Sequence, residues 1–192
     1  HVVRGELFTV VELDALAKME GVLKPILADV PGFGQAVTYL CQRDDVNSDR
    51  IGMTGMSFGG ITTLYTWLVD QRITAAAPIC GGVGSVDVFL KMGKRGYHGL
   101  YWWIPDMLTV GDQGDFVAAM APRPLMLWAP LQDIGMPKEG VDRFLEVVYP
   151  AYQKAQATDQ LVVHRPPGEH QFTREAFEAM IQFFDRQFGI QR

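Results

Sequence analysis

The stretch that most constrains the fold of this chain is Gly55-Met56-Ser57-Phe58-Gly59. A short apolar run precedes it and a helix-like segment follows it, so the sequence predicts a strand, an abrupt turn and a helix. Such a sharp turn needs residues with little or no side chain two positions before and two positions after its apex. Gly55 and Gly59 meet that requirement, and Gly60 allows the helix to pack close to the strand. The apex of the predicted turn carries the hydroxyl group of Ser57. We call this predicted unit of strand, turn and helix the elbow, and its strand, residues 51–54, the elbow strand.

The composition fits one soluble globular domain over residues 1–192, of which residues 1–31 have the least defined pattern. The chain is 48% hydrophobic and 20% charged, and its length is within the range of one domain. The net charge of −5 argues against nucleic acid as a partner, because phosphate binding needs a basic surface. No apolar run approaches the roughly 20 residues of a membrane span, so we expect no membrane-spanning segment.

The two cysteines form neither a disulfide pattern nor a metal-binding pattern. Cys41 falls on a predicted helix and Cys80 at the end of a predicted strand, so we interpret both as buried free thiols. No Cys/His cluster has the spacing of metal ligands, so we expect no structural zinc site and no other metal. Nothing in the sequence implies a cofactor.

Hydrophobic periodicity predicts strands that alternate with helices. The predicted strands are residues 51–54, 73–80, 124–129 and 160–165. The predicted helices are residues 7–19, 33–42, 61–69, 116–120 (capped by Asp115), 141–156 and 172–188. The Gly-rich and aromatic region after residue 80 shows little regular pattern. Alternation of this kind is typical of an α/β fold with a mainly parallel sheet flanked by helices.

A serine hydroxyl is a poor nucleophile near neutral pH, so it needs a general base, and the base needs an orienting carboxylate. Two later loops contain these residue types. The strand at 124–129 leads to Asp133, and the strand at 160–165 leads to His170. The chain order serine, carboxylate, histidine is that of α/β-hydrolases, in which each residue follows a strand. We therefore predict Ser57 as nucleophile, Asp133 as acid and His170 as base.

Other histidines compete with His170 for the role of base. His1 is terminal, and His164 lies within a predicted strand, where a packing or surface role is more usual. His98 is a genuine rival, but it precedes the predicted acid and no strand leads into it. We assign His98 to the lining of the pocket.

The nearest rival of Asp133 is Glu169, which adjoins His170 in the chain. Neighbouring side chains in an extended loop point to opposite sides, so Asp133 is the better prediction for the partner of the base. The remaining aspartates between the elbow and this loop are interpreted as turn or cap residues: Asp87, Asp106, Asp112 and Asp115.

Several motifs resemble the dienelactone hydrolase and acetyl xylan esterase branch of the α/β-hydrolase superfamily. They are residues 49–60 around Ser57, Ala121-Pro122-Arg123-Pro124 before the acid strand, Asp133 with Pro137, and residues 167–172 around His170. The likeness runs from about residue 33 to the end of the chain. It implies an α/β-hydrolase fold and an esterase in which the predicted triad is catalytic.

The segment from residue 98 to residue 108 resembles the aromatic strip near the active site of that branch. We predict that the substrate-binding residues are His98, Tyr101, Trp102, Trp103 and Met136. Because these side chains are bulky, they would leave room for only a short acyl group. The alternative interpretation is that the aromatic residues belong to the core.

Few residues precede Ser57, and they contain no convincing set of strands. In the hydrolase order the predicted strands form one contiguous half of a sheet, with the elbow strand near the centre of the complete sheet. The N-terminal strands are therefore expected to be absent from this chain, and a longer polypeptide or a partner chain is expected to cover the open side of the elbow strand. The backbone N–H of Phe58 is the one oxyanion donor that the sequence identifies.

The sequence thus predicts a serine ester hydrolase that acts on a small-molecule ester through an acyl-enzyme intermediate and without a cofactor. Two alternatives remain. A peptidase of the prolyl oligopeptidase type shares this core, although it normally needs a second domain. A non-catalytic α/β-hydrolase homologue would keep the triad but serve as a binding module.

Overall fold

The computed structural model describes residues 33–94, 98–99 and 102–191. The helix predicted at residues 7–19 lies outside these residues. None of the helices in the described ranges combines the length and the apolar character that crossing a lipid bilayer requires.

The described strands form one parallel sheet in the order β1-β2-β3-β4. They are β1 (Ile51–Met56), β2 (Ile73–Ile79), β3 (Leu125–Trp128) and β4 (Leu161–His164). Each corresponds to a predicted strand, and β1 continues to the residue directly before Ser57. Because the strands are parallel, the loops that follow them meet at one edge of the sheet, where ligands bind in open α/β folds.

The α-helices of the described residues are α1 (Phe33–Cys41), α2 (Phe58–Val69), α3 (Val86–Lys91), α4 (Met107–Val110), α5 (Gln113–Ala118), α6 (Lys138–Lys154) and α7 (Arg174–Phe188). A 3₁₀ turn, Thr158–Gln160, precedes β4. The short helices α3 and α4 lie in the region where the sequence shows little regular pattern. A helix of one or two turns is too short to give a clear period in hydrophobicity.

The helix predicted at residues 116–120 begins earlier, at Gln113, because Asp112 is its N-cap. The Asp112 side chain accepts a hydrogen bond from the Gln113 amide at 2.7 Å, and the Asp115 side chain accepts one from the Asp112 amide at 2.8 Å. Asp115 therefore completes a capping box instead of being the cap itself. The interpretation of Asp115 as the cap is therefore wrong, because the N-cap lies three residues earlier, at Asp112.

The starts of two long helices are likewise set by the residues directly before them. α6 starts directly after Pro137, and α7 starts after Thr173, whose hydroxyl accepts the Ala176 amide at 3.2 Å. The N-cap position of Thr173 leaves Phe172 in the preceding loop. The helices predicted to start at residues 141 and 172 therefore start at Lys138 and Arg174 instead.

The helix that follows Ser57 is held firmly against the sheet. α2 is buried from Gly60 to Leu68, and β2 is buried along almost its whole length. A Cβ atom placed on Gly60 would lie 3.0 Å from the Ile79 carbonyl oxygen, so the close approach of α2 to the end of β2 depends on glycine. This packing fixes the turn between β1 and α2.

Candidate active site

Ser57 lies at the apex of the turn between β1 and α2, with φ 58° and ψ −117°. A positive φ is uncommon for a residue other than glycine and carries conformational strain. The Ser57 amide donates to the Ile79 carbonyl at 2.9 Å, and the Ser57 carbonyl accepts the Ile61 amide at 3.0 Å. The hydroxyl makes no cap hydrogen bond to α2, although serine at an N-cap ordinarily does.

Several glycines lie close to this turn, but the structure does not require all of them to lack a side chain. A Cβ atom on Gly55 would lie 2.5 Å from the Gly59 carbonyl oxygen, which no real structure tolerates. A Cβ atom on Gly59 itself would meet nothing within 4 Å, so Gly59 need not be free of a side chain in this structure. The residue that sequence reasoning missed is Gly81, whose Cβ would lie 2.1 Å from the Ser57 carbonyl oxygen.

Asp133 follows β3, and His170 follows β4. The Nδ1 atom of His170 and the Oδ2 atom of Asp133 are 2.8 Å apart. The Asp133 side chain has no exposed surface, whereas that of His170 is 36% exposed. The second oxygen of Asp133 accepts the Gly135 amide at 2.8 Å. Both carboxylate oxygens are therefore engaged, and one of them orients the imidazole ring.

Backbone hydrogen bonds join the two loops that carry this pair. The Leu131 amide donates to the Pro166 carbonyl at 3.0 Å, and the Gln132 amide donates to the Gly168 carbonyl at 2.9 Å. The side-chain oxygen of Gln132 accepts the Gly168 amide in return. Glu169, the rival acid, is exposed. The loops after β3 and β4 thus form one hydrogen-bonded unit.

The three predicted triad residues lie at the same edge of the sheet. The backbone of Ser57 is bonded to the end of β2, and Cys80, the next residue after β2, lies beside both Asp133 and His170. Among the described residues, the hydrogen bonds include the Asp133–His170 pair but none from the Ser57 hydroxyl to His170. Catalytic hydrogen bonds are often long in structures without substrate and tighten when it binds.

Phe58 is the first residue of α2, and its side chain is largely exposed. As the first residue of the helix, Phe58 has its backbone N–H at the positive end of the helix dipole, directly after Ser57 in the chain. A negative charge that develops near Ser57 would be stabilised at this position.

His98 lies beside the Asp133–His170 pair. Its Nε2 donates to the Gly135 carbonyl at 2.7 Å, since a carbonyl only accepts. Its ring stacks on Trp102 with the ring centres 4.6 Å apart. Burial lowers the pKa of His98, an effect that the hydrogen bond to Gly135 and the charge of Asp133 partly oppose.

The other residues predicted to bind substrate differ in how far their side chains are exposed. Trp102 has no exposed surface and Met136 is 2% exposed, so both side chains pack in the core. Trp103 is half-buried, and its Nε1 donates to the His98 carbonyl at 3.1 Å. Tyr101 lies outside the described residues. Within the described part of the chain, His98 and Trp103 are the partly exposed members of this group; His98 lies next to the pair, and Trp103 contacts His98.

A cleft of about 290 Å³ opens elsewhere, between α3, α5 and α6. Asp112 lies on its wall, where its side chain caps α5 and accepts the Ser85 hydroxyl at 2.5 Å and the Val86 amide at 2.9 Å. None of the predicted triad residues lines this cleft. The Asp112 carboxylate is therefore engaged in hydrogen bonds at the N-termini of α3 and α5.

Two sequence comparisons find similarity to hydrolases. Residues 29–103, which include the elbow, match the family described as "BAAT / Acyl-CoA thioester hydrolase C terminal". The chain is 29% identical over 151 residues to "Putative hydrolase YtaP" of Bacillus subtilis (strain 168), an alignment that covers 79% of this chain and 50% of that protein.

Solved structures share the fold. A glucuronoyl esterase from Solibacter usitatus aligns with a TM-score of 0.64 and 20% identity over 81% of this chain and 47% of that one. An acetyl xylan esterase from Paenibacillus sp. R4 aligns with a TM-score of 0.56 and 20% identity over 79% of this chain and 50% of that one. The chain spans about half the length of these relatives. The parallel sheet and these structural likenesses show that the chain has an α/β-hydrolase-like fold, as its motifs predict.

Proposed function

We propose that this chain hydrolyses carboxylic esters by a triad of Ser57, His170 and Asp133. The observation that carries the proposal is the hydrogen bond between His170 and the buried Asp133 carboxylate, at the same sheet edge as the strained turn at Ser57. A partly exposed imidazole whose other nitrogen is fixed by a buried carboxylate is the arrangement that activates a serine. The likeness to esterases in fold and to hydrolases in sequence supports this assignment.

The proposed reaction has two halves. His170 Nε2 takes the Ser57 proton as the hydroxyl oxygen attacks the ester carbonyl, and it then gives that proton to the leaving alcohol. In the second half, His170 removes a proton from a water molecule as the water oxygen attacks the acyl carbon. The ring then gives that proton to the Ser57 oxygen as its bond to the acyl carbon breaks and the acid is released. Asp133 keeps the hydrogen on Nδ1 of the ring and stabilises the imidazolium that forms in each half.

The tetrahedral intermediate carries a negative charge on the former carbonyl oxygen, and we assign the Phe58 amide as one of its donors. The position of this amide at the N-terminus of α2 supports the assignment. In other serine hydrolases the loss of one oxyanion donor costs about 10²–10³-fold in turnover. The contribution of this donor comes from the backbone, so a side-chain change at Phe58 leaves it in place.

We infer that the substrate is a small ester with a short acyl group. The Trp102 ring, which stacks on His98, and the Met136 side chain, which follows Gly135 in the chain, are both buried in the core. A core that is already filled beside the pair favours a small acyl group. A series of p-nitrophenyl esters from acetate to octanoate measures this preference, and activity should be highest for acetate or propionate. A steady rise in activity out to octanoate would contradict the short-acyl assignment.

The triad assignment is tested by Ser57→Ala, His170→Ala and Asp133→Asn. The first two should lose comparable activity, since the triad acts as a unit. Asp133→Asn should lose about 10⁴-fold because the ring then favours the wrong tautomer. Thermal unfolding and stoichiometric labelling of Ser57 by a serine-directed phosphonate serve as controls. A folded Ser57→Ala variant with wild-type activity would refute the assignment.

Thioester hydrolysis is a second candidate, favoured by the family match over residues 29–103. Its chemistry would use the same acyl-enzyme, with a thiol instead of an alcohol as leaving group. Release of free thiol from acetyl-CoA, compared with hydrolysis of p-nitrophenyl acetate, separates the two. A peptide anilide tests the peptidase alternative, and a chain that cleaves none of these and resists the phosphonate would be a binding module.

A further inference from the structure

A third chemically active group lies beside the Asp133–His170 pair. The Sγ atom of Cys80, one carboxylate oxygen of Asp133 and one ring nitrogen of His170 all lie within 4.8 Å of one another. Cys80 is 1% exposed, with φ 48°, and its backbone amide donates to the Trp128 carbonyl at 2.9 Å. Its thiol donates to the Gln171 carbonyl at 3.3 Å. The thiol is thus held close to both the Asp133 carboxylate and the His170 ring.

Ester hydrolysis by the triad gives Cys80 no task. Burial, and next the nearby charge of Asp133, raise the pKa of its thiol to about 11, so the neutral thiol is not a nucleophile at neutral pH. A small apolar residue would fill the same space. The combination of sulfur, carboxylate and imidazole at one point is therefore unexplained by the proposed reaction.

We propose that Cys80, Asp133 and His170 form a binding site for a thiophilic divalent cation such as Zn²⁺, and that the bound ion switches the hydrolase off. Thiolate, carboxylate and imidazole are the ligand types that zinc takes from proteins. A thiolate and a carboxylate together also neutralise a doubly charged ion, which matters at a buried position. A water molecule would complete a tetrahedron on the partly exposed side of His170.

The spacing of the three groups is compatible with this site after small movements. Bonds of about 2.0–2.3 Å around one ion place tetrahedral ligands about 3.3–3.8 Å apart. The Asp133–His170 contact is 2.8 Å and must lengthen, whereas other separations, at most 4.8 Å, can shorten. Small movements of the ring and the thiol bring the three groups to these separations, and the partly exposed ring of His170 offers the route of entry.

Binding changes the protons in a defined way. The thiol of Cys80 loses its proton to solvent as the sulfur–metal bond forms, because a coordinating thiol is deprotonated. The metal takes the place of the hydrogen on Nδ1 of His170, and the neutral ring then carries its hydrogen on Nε2. Such a ring cannot accept the Ser57 proton. One proton is therefore released for each ion bound, and the general base is blocked.

Inhibition rests on the proposed function, whereas metal binding does not, so the two are measured separately. Binding of Co²⁺ is followed by its thiolate-to-metal charge-transfer absorption in the near ultraviolet. Inhibition by Zn²⁺ is measured on p-nitrophenyl acetate, relative to the metal-free activity of each variant. The variants are Cys80→Ser and, as a matched control, Cys41→Ser, which removes the other free thiol. Thermal unfolding confirms that each variant is folded.

We expect the charge-transfer band in the wild type, in Cys41→Ser and in Ser57→Ala, and we expect it to be absent in Cys80→Ser. The Zn²⁺ concentration for half inhibition should rise roughly tenfold or more in Cys80→Ser, given that even indirect partners of metal ligands are worth about 10–100-fold in affinity. Equal inhibition of folded wild type and Cys80→Ser, or a band that disappears only with Cys41, would overturn the metal site. A wild type that binds Co²⁺ through Cys80 but cleaves no ester would overturn only the proposed function.

Discussion

Ser57 adopts a backbone conformation that costs free energy, and its neighbours keep it there. Residues in such regions cost roughly 1–3 kcal/mol each. The bonds to the Ile79 carbonyl and from the Ile61 amide hold the turn on both sides. The positive φ also removes the hydroxyl from the usual capping role, which leaves it at the edge of the sheet where the Asp133–His170 pair lies.

His98 is connected to the acid by way of one residue. Its Nε2 donates to the Gly135 carbonyl, and the Gly135 amide donates to Asp133 Oδ1. His98→Ala should therefore lower kcat roughly tenfold to a hundredfold by misplacing the acid loop, without abolishing phosphonate labelling of Ser57. His98→Gln, whose amide can still donate to Gly135, should recover most of that loss.

The same variants test the choice of base. No conservative replacement of His170 should recover activity, because the base must gain and lose a proton. If His98→Ala eliminated activity while His170→Ala stayed active, His98 would be the base and the assignment of His170 would be wrong. Steady-state kinetics on one ester are sufficient to decide between these outcomes.

At the scale of elements, the turn between β1 and α2 is enclosed by backbone from two directions. Gly55 of β1 approaches the first turn of α2, and Gly81, after β2, approaches the Ser57 carbonyl. The constraint therefore comes from the neighbouring strand as well as from the turn itself.

Alanine substitutions distinguish these glycines. Gly81→Ala should unfold the turn or abolish activity, because its Cβ would lie 2.1 Å from the Ser57 carbonyl oxygen. Gly59→Ala is the matched control: its Cβ has open space, and alanine in a helix is favoured over glycine by about 0.5–1 kcal/mol. Urea unfolding should show equal or higher stability for Gly59→Ala. A strongly destabilised Gly59→Ala variant would contradict this account.

Arg123 joins the loop before β3 to the end of α2 and the start of β2. Its guanidinium lies over the Trp67 ring at 4.5 Å and donates to the Ile73 carbonyl at 2.9 Å. Burial lowers the pKa of Arg123 to about 10, so it stays charged at neutral pH and pairs with backbone oxygens. The motif that resembles the hydrolase branch at this point therefore has a packing role.

Arg123→Ala should destabilise the chain by roughly 2–4 kcal/mol, because charge-assisted hydrogen bonds and a cation–π contact are lost. Arg143→Ala is the control: both side chains of its pair with Glu146 are exposed, and such a pair contributes about 0–1 kcal/mol. Denaturant unfolding measures both. Equal effects of the two substitutions would show that the position of Arg123 is not special.

At the scale of the whole molecule, β1 pairs with β2 and is the end strand of the described sheet. An unpaired strand edge offers backbone donors and acceptors to other chains. We propose that polypeptide beyond the described strands, from a longer chain or from a partner, pairs with this edge. The chain spans about half the length of its relatives, which supports the proposal.

The 192-residue chain by itself should then associate or unfold readily, and it should regain stability when the covering polypeptide is supplied. Sedimentation velocity together with intact mass measures this. A species of 21.4 kDa that is monomeric, stable and fully active would show that the edge needs no cover. A charged substitution at the exposed Thr54 of β1 should reduce self-association if the edge is responsible.

The sequence alone determined the features that depend on local pattern. The run before Ser57, the glycines beside it and the helical period after it predict the strand, turn and helix that the structure contains. Four apolar runs predict the four parallel strands, and the order of Asp133 and His170 after two of them predicts that both lie at one sheet edge. Each of these features depends on residues that are close together in the chain, so the sequence alone is sufficient to predict it.

The tertiary structure decided what depends on contacts between distant parts of the chain. Periodicity does not show that Gly81 touches the turn at Ser57, or that Trp102 and Met136 are buried. It also does not show that Cys80 joins Asp133 and His170, because a fold brings these residues together without any fixed spacing between them. Cys80, Asp133 and His170 follow β2, β3 and β4, which are neighbours in the parallel sheet. The ends of these strands therefore lie side by side, and this is the physical reason that the thiol lies near the imidazole.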